Sequence, residues 1–66
     1  MEVYINGEVR QVTPGISIAQ LLDRLDCVGR RVAVEVNSDI VPRSGYQERL
    51  VNPGDRIEIV HAIGGG

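Results

Sequence analysis

Ile16-Ser17-Ile18-Ala19-Gln20-Leu21-Leu22-Asp23-Arg24-Leu25 (residues 16–25) decides the fold. Ser17 is a good helix N-cap, and Gln20 three positions later completes a capping box that satisfies two backbone donors reciprocally. Ile16, just before the cap, pairs with Leu21 as the apolar staple that fixes how the chain enters the helix. Ile18, Leu21, Leu22 and Leu25 fall at i, i+3, i+4 and i+7, which gives the helix one apolar stripe. Thr13-Pro14-Gly15 breaks the chain upstream. Gly29 is the expected stop downstream, with Arg30 and Arg31 near the negative end of the dipole. A single helix with one apolar stripe requires a sheet to bury it.

Working outward, the flanks supply strands. Met1, Val3 and Ile5 alternate with Glu2, Tyr4 and Asn6, the period-2 pattern of a strand with one buried face. Asn6-Gly7 provides the two positive-φ residues of a tight hairpin turn. A two-residue loop pairs Ile5 with Glu8, Val3 with Arg10 and Met1 with Val12, leaving the Arg10 stem over apolar surface. A three-residue loop would pair Ile5 with Val9 instead; the first register is preferred. After the helix, Val32, Val34 and Val36 alternate with Ala33 and Glu35, and Asn37-Ser38-Asp39 is turn chemistry. Ile40-Val41 before Pro42 must be short or at an edge, because proline cannot donate to a ladder. Residues 43–49 are polar and irregular, with room for a helical turn and Tyr46 as the large anchor, and Leu50-Val51 returns to the core. Asn52-Pro53-Gly54-Asp55 suits a type II turn. Arg56 to Ile63 forms the last strand, with Ile57 and Ile59 on one face and Glu58, Val60 and Ala62 on the other.

The order is hairpin, helix, strand, short strand, strand. Short, unknotted connections leave few solutions. The economical one is an α+β domain over 1–66: a mixed four- to five-stranded sheet packed on one main helix, with the final strand central and parallel to the first. This is the β-grasp architecture. It places Ala62-Ile63-Gly64-Gly65-Gly66 immediately after a rigid central strand. Three glycines extend a strand poorly, since glycine has the largest ordering entropy and no side chain to pack. Two readings are open: a frayed terminus, or a flexible, exposed tail over 63–66 able to enter slots too narrow for other residues, with a reach of about 10 Å over three residues. A compact platform before it favours the second.

Composition sets the other bounds. The 66 residues make one small domain, 42% of them apolar, so a packed core is expected. That core is aliphatic, since Phe and Trp are absent and the only aromatic residues are Tyr4 and Tyr46. A formal net charge of −2 argues against nucleic-acid and anionic-membrane surfaces. No run of residues reaches the length of a membrane span or a signal-peptide core, and the single Cys27 forbids an internal disulfide. A cytoplasmic setting is therefore expected. Metal, phosphate-loop and serine-hydrolase motifs are missing. Cys27 reads as a plain, partly buried cysteine, since a helix C-terminus disfavours a thiolate. His61 reads as a strand-edge residue without a companion base or ligand. Tyr4, Val60, Ala62 and Ile63 are the candidate partner-binding residues. The first three are expected on the sheet face away from the helix, beside the tail.

Taken together, the chain resembles the ubiquitin-like sulfur carriers, and within them the ThiS family of bacterial thiamine biosynthesis. The resemblance lies in the opening strand with Asn6, the Ile18-to-Leu25 helix and the segment VAVEVNSDIVPR from Val32 to Arg43. It continues through Gly54-Asp55, the β-branched strand from Ile57 to Val60 and the terminal Gly65-Gly66. Tyr46 departs from the tryptophan expected in many members, a local packing difference. The resemblance implies a protein that is not itself an enzyme and binds no cofactor. Gly66 would be the modified residue, with Gly64 and Gly65 as its access path. The implied partners are an E1-like adenylating enzyme (ThiF-like) using ATP and magnesium, a persulfide sulfur donor of the cysteine desulfurase type, and thiazole synthase (ThiG-like). The chemistry is coherent: a terminal carboxylate is ionised at neutral pH and a poor electrophile. Its anhydride with AMP is attackable, and sulfur displaces AMP to leave a thiocarboxylate. A molybdopterin-synthase small-subunit type of carrier is the alternative in the same chemistry. An interaction module without sulfur transfer and a lysine-conjugated modifier are alternatives outside it.

Overall fold

The alternation at the start of the chain becomes strand β1 (Glu2–Ile5), with Val3 and Ile5 buried and Glu2 and Tyr4 facing out. A computed structural model of the chain describes residues 1–27 and 31–61. Asn6 and Gly7, at φ 50° and 82°, turn the chain into β2 (Glu8–Gln11) in the two-residue register, with Ile5 opposite Glu8 and Val3 opposite Arg10. Met1 and Val12 close that hairpin, the Val12 N–H donating to the Met1 carbonyl at 2.8 Å. Arg10 lies opposite buried Val3 on the core side, its stem bordering Ile5, Val12, Leu21 and Leu25 while its guanidinium reaches out to Glu8 at 3.6 Å.

Helix α1 (Ile18–Arg24) begins as its sequence dictates. The Ser17 Oγ accepts from the Gln20 N–H at 3.1 Å, and Gln20 Oε1 accepts from the Ser17 N–H at 2.9 Å. The remaining donors of the first turn are also satisfied: Ile18 N–H donates to the Arg49 carbonyl and Ala19 N–H to the Tyr46 carbonyl, both at 2.9 Å. The irregular segment after the sheet is thereby explained. A 3₁₀ turn (Arg43–Gly45) and the residues after it wrap back so that their carbonyls cap α1. The Val51 N–H donates to Ile16 at 2.8 Å, which returns Val51 to the core and leaves Leu50 at the surface.

The end of α1 differs from the sequence expectation. The helix stops at Arg24 with Leu25 as C-cap, not at Gly29, which lies outside the described residues with Arg30. Asp26 takes the left-handed conformation at φ 59°. Its N–H donates to the Asp23 carbonyl at 3.1 Å, and the Cys27 N–H donates to Leu22 at 2.8 Å. These are the two bonds of a Schellman motif, with aspartate where glycine usually sits. Cys27 and Leu22, the two positions whose apolar contact accompanies this motif, are both buried in the core.

Strand β3 (Val32–Val36) turns through Asn37 and Ser38, at φ 51° and 72°, into the short edge strand β4 (Asp39–Val41). Asn52-Pro53-Gly54-Asp55 makes a turn with Gly54 at φ 80°, and β5 (Arg56–His61) follows. The sheet order is β2-β1-β5-β3-β4, with β5 parallel to β1 and antiparallel to β3. This is a β-grasp fold. Val3, Ile5, Val34, Val36, Ile57 and Ile59 line the inner face and meet Ile18, Leu21 and Leu22 of α1.

Candidate functional site

The candidate site is the end of β5 and the sheet face around it. The six residues of β5 pair with β3 along Ile57 to His61 and with β1 at Arg56 and Ile57, and they lead to residue 62. The start of the strand is held by buried polar groups. Asp55, 7% exposed, accepts from Asn37 Nδ2 at 3.0 Å and from the Asn52 N–H at 2.8 Å. The Asn37 side chain in turn accepts from the Arg56 N–H at 2.9 Å, and the Asn37 N–H donates to the Arg56 carbonyl at 2.8 Å. A buried carboxylate with two donors is satisfied, so this corner is stiff rather than reactive. Further along, the side chain of Asn6 contacts the backbone of Ile59 from the β1 side, with Oδ1 accepting at 2.8 Å and Nδ2 donating at 3.2 Å.

The outer face of the sheet carries the predicted partner-binding residues. Tyr4 is 37% exposed and lies across from Val9 on β2 and level with Arg56 on β5. Val60 is 60% exposed and faces Ala33 on β3. The two share the face but are not neighbours. Val60 lies four residues beyond Arg56 along β5, about 13 Å at the usual strand rise, and Glu58 opposite Glu35 occupies the space between. On this face Tyr4 with Val9 and Val60 with Ala33 are apolar spots separated by the acidic pair, and Ile40, 76% exposed, lies beside Glu35 at the β4 edge. Ala62, Ile63, Gly64, Gly65 and Gly66 lie outside the described residues.

Other candidates behave as ordinary structure. Cys27 is buried at the end of α1, its Sγ 3.5 Å from the Leu25 carbonyl. His61 is exposed and pairs with Val32 at the strand's end. Among the described residues, no group of three or more His, Cys, Asp or Glu side chains is placed to hold a metal. No described helix is long and apolar enough to cross a membrane. The side-chain roles of Asn6 and Asn37 carry no local sequence signal, because both residues already fit their turns.

Comparison with known proteins agrees with this architecture. The chain matches the ThiS family model over residues 3–66. It is 47% identical over its whole length to a thiazole synthase of Paramagnetospirillum magneticum, but spans only 20% of that protein. It is 32% identical to the sulfur carrier protein ThiS of Escherichia coli, with both chains covered completely. The crystal structure of the thiamine biosynthesis protein ThiS from Geobacter metallireducens superposes with a TM-score of 0.87 at 28% identity, each chain covered completely. With a match over nearly every residue and the same fold from first strand to last, the chain belongs to the ThiS family.

Proposed function

We propose that this chain is a sulfur carrier of thiamine biosynthesis, carrying sulfur on the acyl group of Gly66 for construction of the thiazole ring. The observation that carries the reading is the placement of β5. A central strand, bonded on both sides and pinned at its start by Asp55 and Asn37, leads within five residues of His61 to Gly64-Gly65-Gly66. A rigid base with a side-chain-free extension suits delivery of an acyl group into another protein's active site. The match to part of a thiazole synthase supports a synthase of that kind as the sulfur acceptor.

In this reading an E1-like (ThiF-like) enzyme uses ATP and magnesium to join the Gly66 carboxylate to AMP, with release of pyrophosphate. A persulfide donor of the cysteine desulfurase type attacks the acyl carbon and displaces AMP. Reductive cleavage of the resulting acyl disulfide by a thiol leaves the thiocarboxylate, which thiazole synthase (ThiG-like) consumes. The chain itself supplies no acid, base or nucleophile; it binds and orients. Tyr4, Val60, Ala62 and Ile63 form the docking contacts, and Gly64 and Gly65 the narrow approach. The acidic pair between Tyr4 and Val60 favours partners with a basic side chain at that position.

The test is intact mass after incubation with the E1-like enzyme, ATP, magnesium and a persulfide source. A gain equal to replacing one oxygen by sulfur, mapped to Gly66, is expected. A chain lacking Gly65 and Gly66 that still supports thiazole formation would overturn the reading.

A further inference from the structure

The partners of β5 change at Ile59. On the β1 side, the Asp55 carbonyl accepts from the Tyr4 N–H at 2.9 Å and the Ile57 carbonyl from the Asn6 N–H at 2.8 Å. These two bonds belong to a parallel ladder that advances two residues at a time. Its next rung falls on Ile59, but β1 ends at Ile5 and the Asn6-Gly7 turn carries the backbone away. Strand β5 continues to His61, paired on its other side with β3. Left alone, the Ile59 N–H and C=O would face an empty strand position.

The Asn6 side chain fills it. Its Oδ1 takes the Ile59 N–H and its Nδ2 gives to the Ile59 carbonyl, so one primary amide reproduces the next peptide unit of β1. The turn does not by itself require this amide, because Gly-Gly also provides two positive-φ residues. The amide is thus separable from the turn. It acts three residues before residue 62 and is the last contact holding β5 from the β1 side among the described hydrogen bonds.

We propose that Asn6 is a positioning residue for the carrier reaction. By closing the ladder on Ile59 it fixes where residues 62–66 leave the sheet relative to the face that bears Tyr4 and Val60. The inference rests on the carrier reading above and adds a residue to it. A delivery group anchored a few residues back loses effective concentration at the reacting centre when its anchor loosens, even if docking is unchanged.

Two variants isolate the effect. Asn6→Gly keeps the positive-φ turn and removes the amide, whereas Asn6→Asp keeps an acceptor for the Ile59 N–H and removes the donor. Amide hydrogen exchange of the free chain and steady-state adenylation by a purified E1-like enzyme with ATP and magnesium are read on the same samples, at a temperature where every variant is folded. In Asn6→Gly the Ile59 amide should exchange about tenfold faster, with a smaller change at Ile57. Adenylation kcat should fall about tenfold while the KM for the carrier is unchanged, and Asn6→Asp should recover part of both effects. Unchanged exchange at Ile59 overturns the clamp. Faster exchange with unchanged kcat, or a loss confined to KM, overturns the positioning role and leaves the carrier reading standing. Failure of the unaltered chain to be adenylated removes the carrier reading and this inference with it.

Discussion

Replacing Asp26 with glycine should stabilise the protein, and the size of the gain follows from the cap at the end of α1. Asp26 sits at φ 59°, is exposed, and its side chain makes no hydrogen bond or ion pair among the described residues. A left-handed conformation costs an ordinary L-residue about 1–2 kcal/mol, and aspartate somewhat less. A negative charge next to the C-terminal end of a helix dipole adds about 0.3 kcal/mol at an exposed site. Glycine removes both penalties and returns part of the gain through its freer unfolded state. The net expectation for Asp26→Gly is about 1 kcal/mol, a rise in Tm of about 4–8 °C for a domain of this size. Asp26→Asn removes the charge and keeps a residue that tolerates this backbone, so it should gain only about 0.3 kcal/mol. Asp26→Ala should lose about 0.5–1 kcal/mol, because a Cβ without a compensating polar group is placed in the left-handed region. Thermal and urea unfolding of the four proteins gives the order Gly, Asn, Asp, Ala. An alanine variant as stable as the glycine variant would refute the Schellman assignment and return the helix end to Gly29.

Other outcomes follow from the same geometry. Asp55→Ala leaves Asn37 Nδ2 and the Asn52 N–H without their acceptor and should lower unfolding free energy by roughly 2 kcal/mol, read by urea titration. Val60→Arg alters an exposed residue, so stability should shift by less than about 0.5 kcal/mol. The KM of the carrier for the E1-like enzyme should nevertheless rise about tenfold, the cost of placing a charge at an apolar contact; an unchanged KM would remove Val60 from the docking face. Cys27→Ser buries a hydroxyl in the Schellman contact and should cost about 1–2 kcal/mol. Sulfur acquisition at the terminus, read by intact mass, should remain complete.

What could be read from the chain was whatever neighbours in sequence decide. The Ser17–Gln20 box, the Ile18-to-Leu25 stripe and the two-residue turn at Asn6-Gly7 involve residues at most seven apart, and each appears as expected. The order of elements then left little choice of topology, and β5 is central and parallel to β1. The helix end was harder. Glycine preference points to Gly29, but the two hydrogen bonds around Asp26, with Cys27 and Leu22 both buried, end the helix at Arg24. Alternation gives the facing of Tyr4 and Val60 and not their positions along the sheet. The stagger between β1 and β5 sets Tyr4 beside Arg56 and well away from Val60. The Asn6 bonds to Ile59 join residues 53 apart, and no local pattern announces them. The glycine tail, the core of the functional reading, lies outside the described residues.

The strand that completes the sheet is the last of the five to leave the ribosome. Both hairpins, β1 with β2 and β3 with β4, emerge earlier, and neither is hydrogen-bonded to the other until β5 slides between them. Until β5 is made, the two hairpins are marginal half-sheets, since an isolated hairpin has little stability in water. The segment that joins them is also the one that leads into Ala62-Ile63-Gly64-Gly65-Gly66. Closure of the sheet therefore waits on its last strand, and a product truncated before β5 keeps its two hairpins unjoined.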